Sequence, residues 1–92
     1  METLDKAIET SVLEIPSGNI FDSHAIIKML LQQHSDCYLR EMPKKDSCTT
    51  KTYHSQIADK IDLLTEFLEP VGTSYSFNIH DKLSPCKCWK RK

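Results

Sequence analysis

Apolar residues recur every three or four positions near the start of the chain, and this spacing predicts a helix over residues 1–15. Residues three and four apart share one face of an α-helix, so this stripe is expected to face the protein interior. Residues 16–19, Pro-Ser-Gly-Asn, are turn-forming and end the helix. The apolar positions of the stripe are Leu4, Ala7, Ile8, Val12 and Ile15.

A second apolar stripe predicts a helix over residues 22–42. Its start is marked by Asp22 and Ser23, either of which can accept hydrogen bonds from the free N–H groups of a first helical turn. Its end is marked by Pro43, because proline has no N–H group to continue the helix. The residues that share its face are Ile27, Leu30, Leu31, His34 and Tyr38.

Residues 43–52 are mostly polar and predict an exposed connection. Helical spacing returns over residues 52–69, and Pro70 with Gly72 supplies the stop. The apolar stripe of this third helix comprises Tyr53, Ile57, Ile61, Leu64 and Leu68.

The apolar period changes to two residues near the end of the chain and predicts a hairpin over residues 74–91. Tyr75, Phe77 and Ile79 alternate with polar residues, which is typical of a half-buried strand. Residues 80–85 contain turn-forming residues, so the residues after them are expected to pair back. An isolated hairpin is marginally stable in water, and its aromatic face is therefore expected to pack on the helices.

These elements predict an α+β fold of three helices followed by a C-terminal β-hairpin. A chain of 92 residues has the usual size of one domain, so residues 1–92 are assigned to a single small domain. The residues expected in its core are Ile27, Leu31, Tyr38, Ile57, Ile61, Leu64 and Phe77.

Charge is nearly balanced overall but unevenly distributed. The chain has 12 Lys and Arg against 13 Asp and Glu, a formal net charge of −1. Acidic residues dominate residues 1–23, and basic residues dominate residues 79–92. This split indicates either a basic binding surface or two ends that attract each other within the fold or across a dimer.

The N-terminal residues lack the basic start and unbroken apolar run of a signal peptide. No window approaches the roughly 20 apolar residues that cross a bilayer. We therefore expect a soluble, cytoplasmic protein without a membrane partner. In that compartment the four cysteines are expected to remain thiols, so no disulfide framework is predicted.

The order helix, helix, helix, hairpin, over about residues 22–92, resembles a winged-helix domain. This resemblance rests on element order and implies DNA contacts from the third helix and the hairpin. The third helix suits this role badly, because phosphates repel its carboxylates Asp59, Asp62 and Glu66. The alternative is that helices two and three pack together and the hairpin covers their apolar faces.

The hairpin carries the basic residues that phosphate contacts need. Trp89 lies between Lys87 and Lys90, where its ring could stack on a base, although a tryptophan there is also a good anchor for the hairpin in the core. The predicted nucleic-acid-binding residues are Lys82, Lys87, Trp89, Lys90 and Arg91.

Cys86 and Cys88 could hold zinc together with His80, Cys48 or His54. One residue separates the two cysteines, whereas paired zinc ligands usually have two to four between them. Since free cysteine is commonly a small buried apolar residue, no metal and no cofactor are predicted.

His34 and Cys37 are three apart on the predicted second helix, where they could meet as base and thiol of a nucleophile. No family signature surrounds Cys37, and two glycines are too few for a phosphate-binding loop. We therefore predict that the protein is not an enzyme. The first hypothesis is a small regulatory, winged-helix-like nucleic-acid-binding module. The alternative is a protein-interaction or dimerisation module without catalytic activity, including a homodimer.

Overall fold

Four helices and three strands make up the described residues, 2–42 and 50–92, of a computed structural model. The helices are α1 (Leu4–Glu14), α2 (Ser23–Gln33), α3 (Ser35–Arg40) and α4 (Thr50–Asp62). The strands are β1 (Ile20–Asp22), β2 (Leu68–Phe77) and β3 (Leu83–Arg91). This architecture confirms the predicted α+β class with a C-terminal hairpin, and its likeness to a winged helix is loose. None of the helices in these residues is long and apolar enough to cross a membrane.

The helix predicted over residues 22–42 is two helices. The backbone leaves helical geometry at His34, with φ −136° and ψ 36°, and this residue ends α2 and precedes α3. Leu30 on α2 and Tyr38 on α3 are buried in the same core, so the apolar spacing in the sequence is the same on both sides of the break. The prediction of one continuous helix was therefore wrong.

The helix predicted over residues 52–69 ends at Asp62 in α4. Leu68 keeps helical spacing but begins β2, so the hairpin is longer than predicted. Pro70 lies within this strand, beside a register irregularity between Pro70 and Gly72. An edge strand tolerates proline there because it has one unpaired side.

The three strands form one antiparallel sheet in the order β1, β3, β2. The short strand β1 was not predicted, and it pairs Phe21 with Trp89 and Asp22 with Cys88. This pairing places the first turn of α2 next to the hairpin. The predicted connection over residues 43–52 falls mainly on residues 43–49, outside the described part of the chain.

The buried apolar side chains form one cluster from all four helices and the base of the sheet. Of the predicted core residues, Ile27, Tyr38, Ile57 and Ile61 are buried, while Leu31 and Leu64 are partly buried against the cluster. Phe77 is 55% exposed, so its assignment to the core was wrong. Tyr75 and Phe77 are exposed on one face of the hairpin, whereas Ser76 on the other face contacts His24 of α2.

Candidate functional site

A cavity of about 460 Å³ opens between the start of α2, the middle of α4 and the hairpin. Three histidines, His24, His54 and His80, line it together with Cys86. We call this cavity the histidine groove. Its walls combine imidazole, thiol and hydroxyl groups, which are the chemical groups of ligand or metal sites.

His24 connects α2 to both arms of the hairpin. His24 is only 9% exposed. Asp22 caps the same helical turn, because its side chain accepts a hydrogen bond from Ala25 N–H at 2.9 Å. The His24 Nδ1 atom is hydrogen-bonded to Ser76 Oγ at 2.7 Å, and Nε2 is hydrogen-bonded to Ser84 Oγ at 3.2 Å. Both ring nitrogens are therefore fixed in position by β2 and β3.

Cys86 lies beside this histidine. Its sulfur is 3.6 Å from Ser76 Oγ, so the serine hydroxyl neighbours both the thiol and the imidazole. One potential ligand atom from each of Asp22, His24 and Cys86 lies within 4.8 Å of the other two. Cys88 is buried but belongs to neither ligand group found among the described residues, and Cys48 lies outside those residues.

His54 is held at the opposite wall of the groove. Its Nε2 atom is hydrogen-bonded to Tyr38 Oη at 2.7 Å. Burial lowers the pKa of His54, and the nearby charges of His80 and His24 lower it further. His54 is thus neutral in the folded protein at pH values where an exposed histidine is already gaining a proton.

The protein is expected to lose stability as the pH falls from about 7 to about 5, because the pKa of His54 is lower in the folded than in the unfolded chain. Below the ordinary histidine value of about 6.5, the unfolded chain binds this proton more readily. Urea unfolding at both pH values should show that the free energy of unfolding falls less between pH 7 and pH 5 for His54→Gln than for the natural protein. An equal loss in both proteins would contradict this assignment.

A second constellation ties the base of β3 to the end of α4. Trp89 is 1% exposed, and its Nε1–H donates to Asp62 Oδ1 at 2.7 Å. Lys87 Nζ donates to Asp62 Oδ2 at 2.6 Å and lies 3.5 Å from Asp59 Oδ1. Burial raises the pKa of Asp62, but the hydrogen bonds from Lys87 and Trp89 outweigh it and hold this pKa below its usual value.

Substitution of Asp62 by alanine should lower the free energy of unfolding by about 1 to 2 kcal/mol, because it leaves the buried indole N–H without its acceptor. Asp59→Ala is the matched control, since this aspartate is highly exposed and forms an ion pair with the ammonium group of Lys87. An exposed ion pair contributes about 0 to 1 kcal/mol. Urea unfolding measures both free energies. Equal losses of unfolding free energy in the two variants would show that the hydrogen bond from Trp89 does not stabilise the fold.

The predicted nucleic-acid-binding residues are not brought together. Trp89 is in the core and Lys87 is paired with acidic residues of α4. The Arg91 guanidinium lies 5.8 Å from the centre of the Phe67 ring. Lys82 and Lys90 are exposed, but Lys82 precedes β3 and Lys90 lies near the end of this strand, about 26 Å away at the rise of a strand.

His34 and Cys37 lie close together, but the ring of His34 and the thiol of Cys37 each hydrogen-bond another group. The His34 Nδ1 atom lies 2.7 Å from Glu2 Oε1, and the Cys37 thiol donates to the His34 carbonyl oxygen at 3.4 Å. Burial raises the pKa of the Cys37 thiol, and the negative charge of Glu2 raises it further. These effects favour the protonated thiol, which is the less nucleophilic form.

The outer face of the hairpin carries exposed apolar side chains. Tyr75 is opposite Pro85 and Phe77 is opposite Leu83 in the strand register, so the four side chains share one face. Tyr75 is 69% exposed, and the other three are also exposed. We call these four residues the hairpin patch.

Comparisons with protein-family models, with curated proteins and with solved structures each found no match. Functional inference therefore rests on the geometry described above.

The sequence reasoning missed His24 and gave Asp22 only a capping role. A detectable signal was the position of His24 in the first turn of an apolar helix, next to the cap.

Proposed function

We propose that this protein is a self-association module that pairs with a second copy of itself along β2. The observation that carries the proposal is the uncharged edge formed by residues 73–77, along which no strand of the described residues pairs. The first half of β2 contains Pro70 and a register irregularity, both of which discourage pairing. The second half has no proline, charge or irregularity.

The hairpin turn indicates which backbone groups of β2 face this edge. Asn78 N–H donates to the Lys82 carbonyl oxygen at 2.9 Å, which makes these two residues the inward-bonding pair beside the turn. Inward-bonding residues alternate along an antiparallel strand. The N–H and C=O groups of Thr73, Tyr75 and Phe77 therefore point to the open edge.

The same residues are compatible with pairing to themselves. In an antiparallel pair centred on Tyr75, the sequence Thr-Ser-Tyr-Ser-Phe places Tyr75 against its own copy and Ser74 against Ser76. Aromatic pairs across strands stabilise a sheet, and no like charges meet. A twofold axis through Tyr75 would thus join two three-stranded sheets.

The hairpin patch supports this partner. Its members Tyr75 and Phe77 lie on the strand that would pair, so two hairpin patches would lie side by side on one face of the joined sheet. Contiguous exposed apolar side chains are typical of association surfaces. The nucleic-acid hypothesis stays a prediction, and the separation of Lys82 from Lys90 gives it less support.

The test uses sedimentation velocity at several protein concentrations on the natural protein and on Tyr75→Lys and Tyr75→Glu. The natural protein is expected to show a concentration-dependent dimer, while each variant alone should be monomeric because like charges meet at the axis. Mixing the two variants should restore the dimer, since opposite charges then face each other. Leu63→Lys, at an exposed position outside β2, is the control and should dimerise normally.

A natural protein that is monomeric throughout would overturn the proposal. The proposal would also be overturned if Tyr75→Lys or Tyr75→Glu, each measured by itself, dimerised as strongly as the natural protein. Fluorescence anisotropy with a short mixed-sequence duplex at low salt distinguishes the other hypothesis. Duplex binding by a monomer, weakened by Lys82→Ala and Lys90→Ala, would replace self-association with nucleic-acid binding.

A further inference from the structure

We propose that Asp22, His24 and Cys86 form a zinc site at the floor of the histidine groove. The three residues come from the end of β1, the first turn of α2 and the middle of β3. The pairing of β1 with β3 is what brings them together, because it places Asp22 against Cys88, two residues beyond Cys86. This proposal is independent of self-association through β2.

The distances suit one metal ion. The ligand atoms lie within 4.8 Å of one another, and around a tetrahedral zinc ion such atoms are about 3.5 Å apart. Side-chain rotations that move these atoms by about 1 Å close the site around an ion of this radius. Asp22 is only partly buried, and its carboxylate has a second oxygen besides the one that accepts from Ala25 N–H.

The hydrogen bonds of His24 identify the ligand atom. Ser84 holds Nε2 at 3.2 Å, which leaves Nδ1 directed toward Ser76 and Cys86. Zinc-bound histidines commonly have the second ring nitrogen fixed by an oxygen acceptor in this way. The hydroxyl of Ser76 lies 2.7 Å from Nδ1 and 3.6 Å from the sulfur, so a zinc ion bound to both donors would replace its hydrogen bond to Nδ1 and the serine side chain would rotate away.

The donor set selects the class of metal. A thiolate, an imidazole and a carboxylate together suit zinc, whereas magnesium and calcium bind oxygen ligands almost exclusively. Three protein ligands leave the fourth position open, as in catalytic rather than structural zinc sites. Because His24 and Cys86 line the histidine groove, that position faces the groove.

A second cluster in the chain offers the same three ligand types and serves as an internal control. Glu2, His34 and Cys37 also have ligand atoms within 4.8 Å of one another. Arg40 donates a hydrogen bond to the Glu2 carbonyl oxygen, so a guanidinium charge lies next to this cluster and repels a cation. Within residues 2–42 and 50–92, Asp22, His24 and Cys86 form no ion pair with a cationic side chain, so the groove cluster is the stronger site.

The test is a zinc titration of the chelator-treated full chain by calorimetry, with the variants Cys86→Ser and Cys37→Ser as a matched pair. We expect the natural protein and Cys37→Ser to bind one zinc ion with affinities equal within about threefold, and Cys86→Ser to lose at least 100-fold in affinity. Ser84→Ala should weaken binding about tenfold, because it removes the support of the imidazole. Circular dichroism confirms that each variant is folded.

Two further measurements keep the test decisive if Cys86→Ser does not fold. Cobalt in place of zinc should give a thiolate charge-transfer absorption in the natural protein, and zinc should protect Cys86 rather than Cys37 from alkylation in a mass-spectrometric map. Absence of zinc binding by the natural protein would overturn the proposal. So would loss of binding in Cys37→Ser with binding retained in Cys86→Ser, which would place the ion at the other cluster.

Discussion

Trp89→Ala will lower the free energy of unfolding by about 3 to 5 kcal/mol, the largest loss expected from any single substitution described here. The side chain is 1% exposed, and its ring centre lies 5.8 Å from that of Phe21. Its removal leaves a cavity and also deprives Asp62 of the indole donor. A domain of this size is stable by about 5 to 10 kcal/mol, so much of that stability depends on one residue.

Urea unfolding followed by far-ultraviolet circular dichroism measures this loss without depending on tryptophan fluorescence. Leu63→Ala is the control, because it removes an apolar side chain that is 79% exposed and lies outside β2, and it should cost less than about 0.5 kcal/mol. Equal stability of Trp89→Ala and the natural protein would show that the indole is not in the core. The role predicted from the sequence, in which the Trp89 ring stacks on a nucleic-acid base, would then be consistent with the measurement.

The second large effect is expected at alkaline pH and belongs to Tyr53. Burial raises the pKa of Tyr53 from 10.0 to about 12, with further contributions from the negative charges of Tyr38 and Glu41. The folded protein holds this phenol neutral, and its hydroxyl donates to the Tyr38 carbonyl oxygen at 2.6 Å. Above pH 10 the unfolded chain releases the proton more easily than the folded one.

The stability associated with Tyr53 is therefore complete below about pH 10 and is lost as the pH rises toward 12. A difference of about two pKa units corresponds to about 3 kcal/mol. Urea unfolding at about pH 9 and pH 11 should show a steeper loss for the natural protein than for Tyr53→Phe. Parallel pH profiles would contradict the assignment, since lysines titrate equally in both proteins.

The sequence predicted the elements that depend on local spacing. The stripe from Leu4 to Val12 is buried in α1, and the change to a period of two marks the hairpin. It could not predict β1, because three residues carry no period and their pairing with β3 depends on the far end of the chain. It could not predict the break at His34 either, because the apolar spacing is the same on both sides.

The alternation in β2 predicted two faces correctly but assigned the wrong face to the interior. Ser76 and Cys86 face His24, whereas Tyr75 and Phe77 are exposed. Periodicity identifies which side chains share a face, but burial depends on what packs against that face. Here the imidazole of His24 covers the face of β2 that carries Ser76. The candidate site therefore lies on a polar face, which the apolar pattern of the sequence does not reveal.

The pairing of Phe21 with Trp89 also affects the order of folding events. It joins position 21 to position 89, so the intervening chain must close as one long loop before the sheet is complete. Helices and the local hairpin can form earlier because their contacts are close in sequence. During synthesis, β1 must therefore wait for residues 88–90 to leave the ribosome, and the residues proposed to bind zinc are brought together only in that last step.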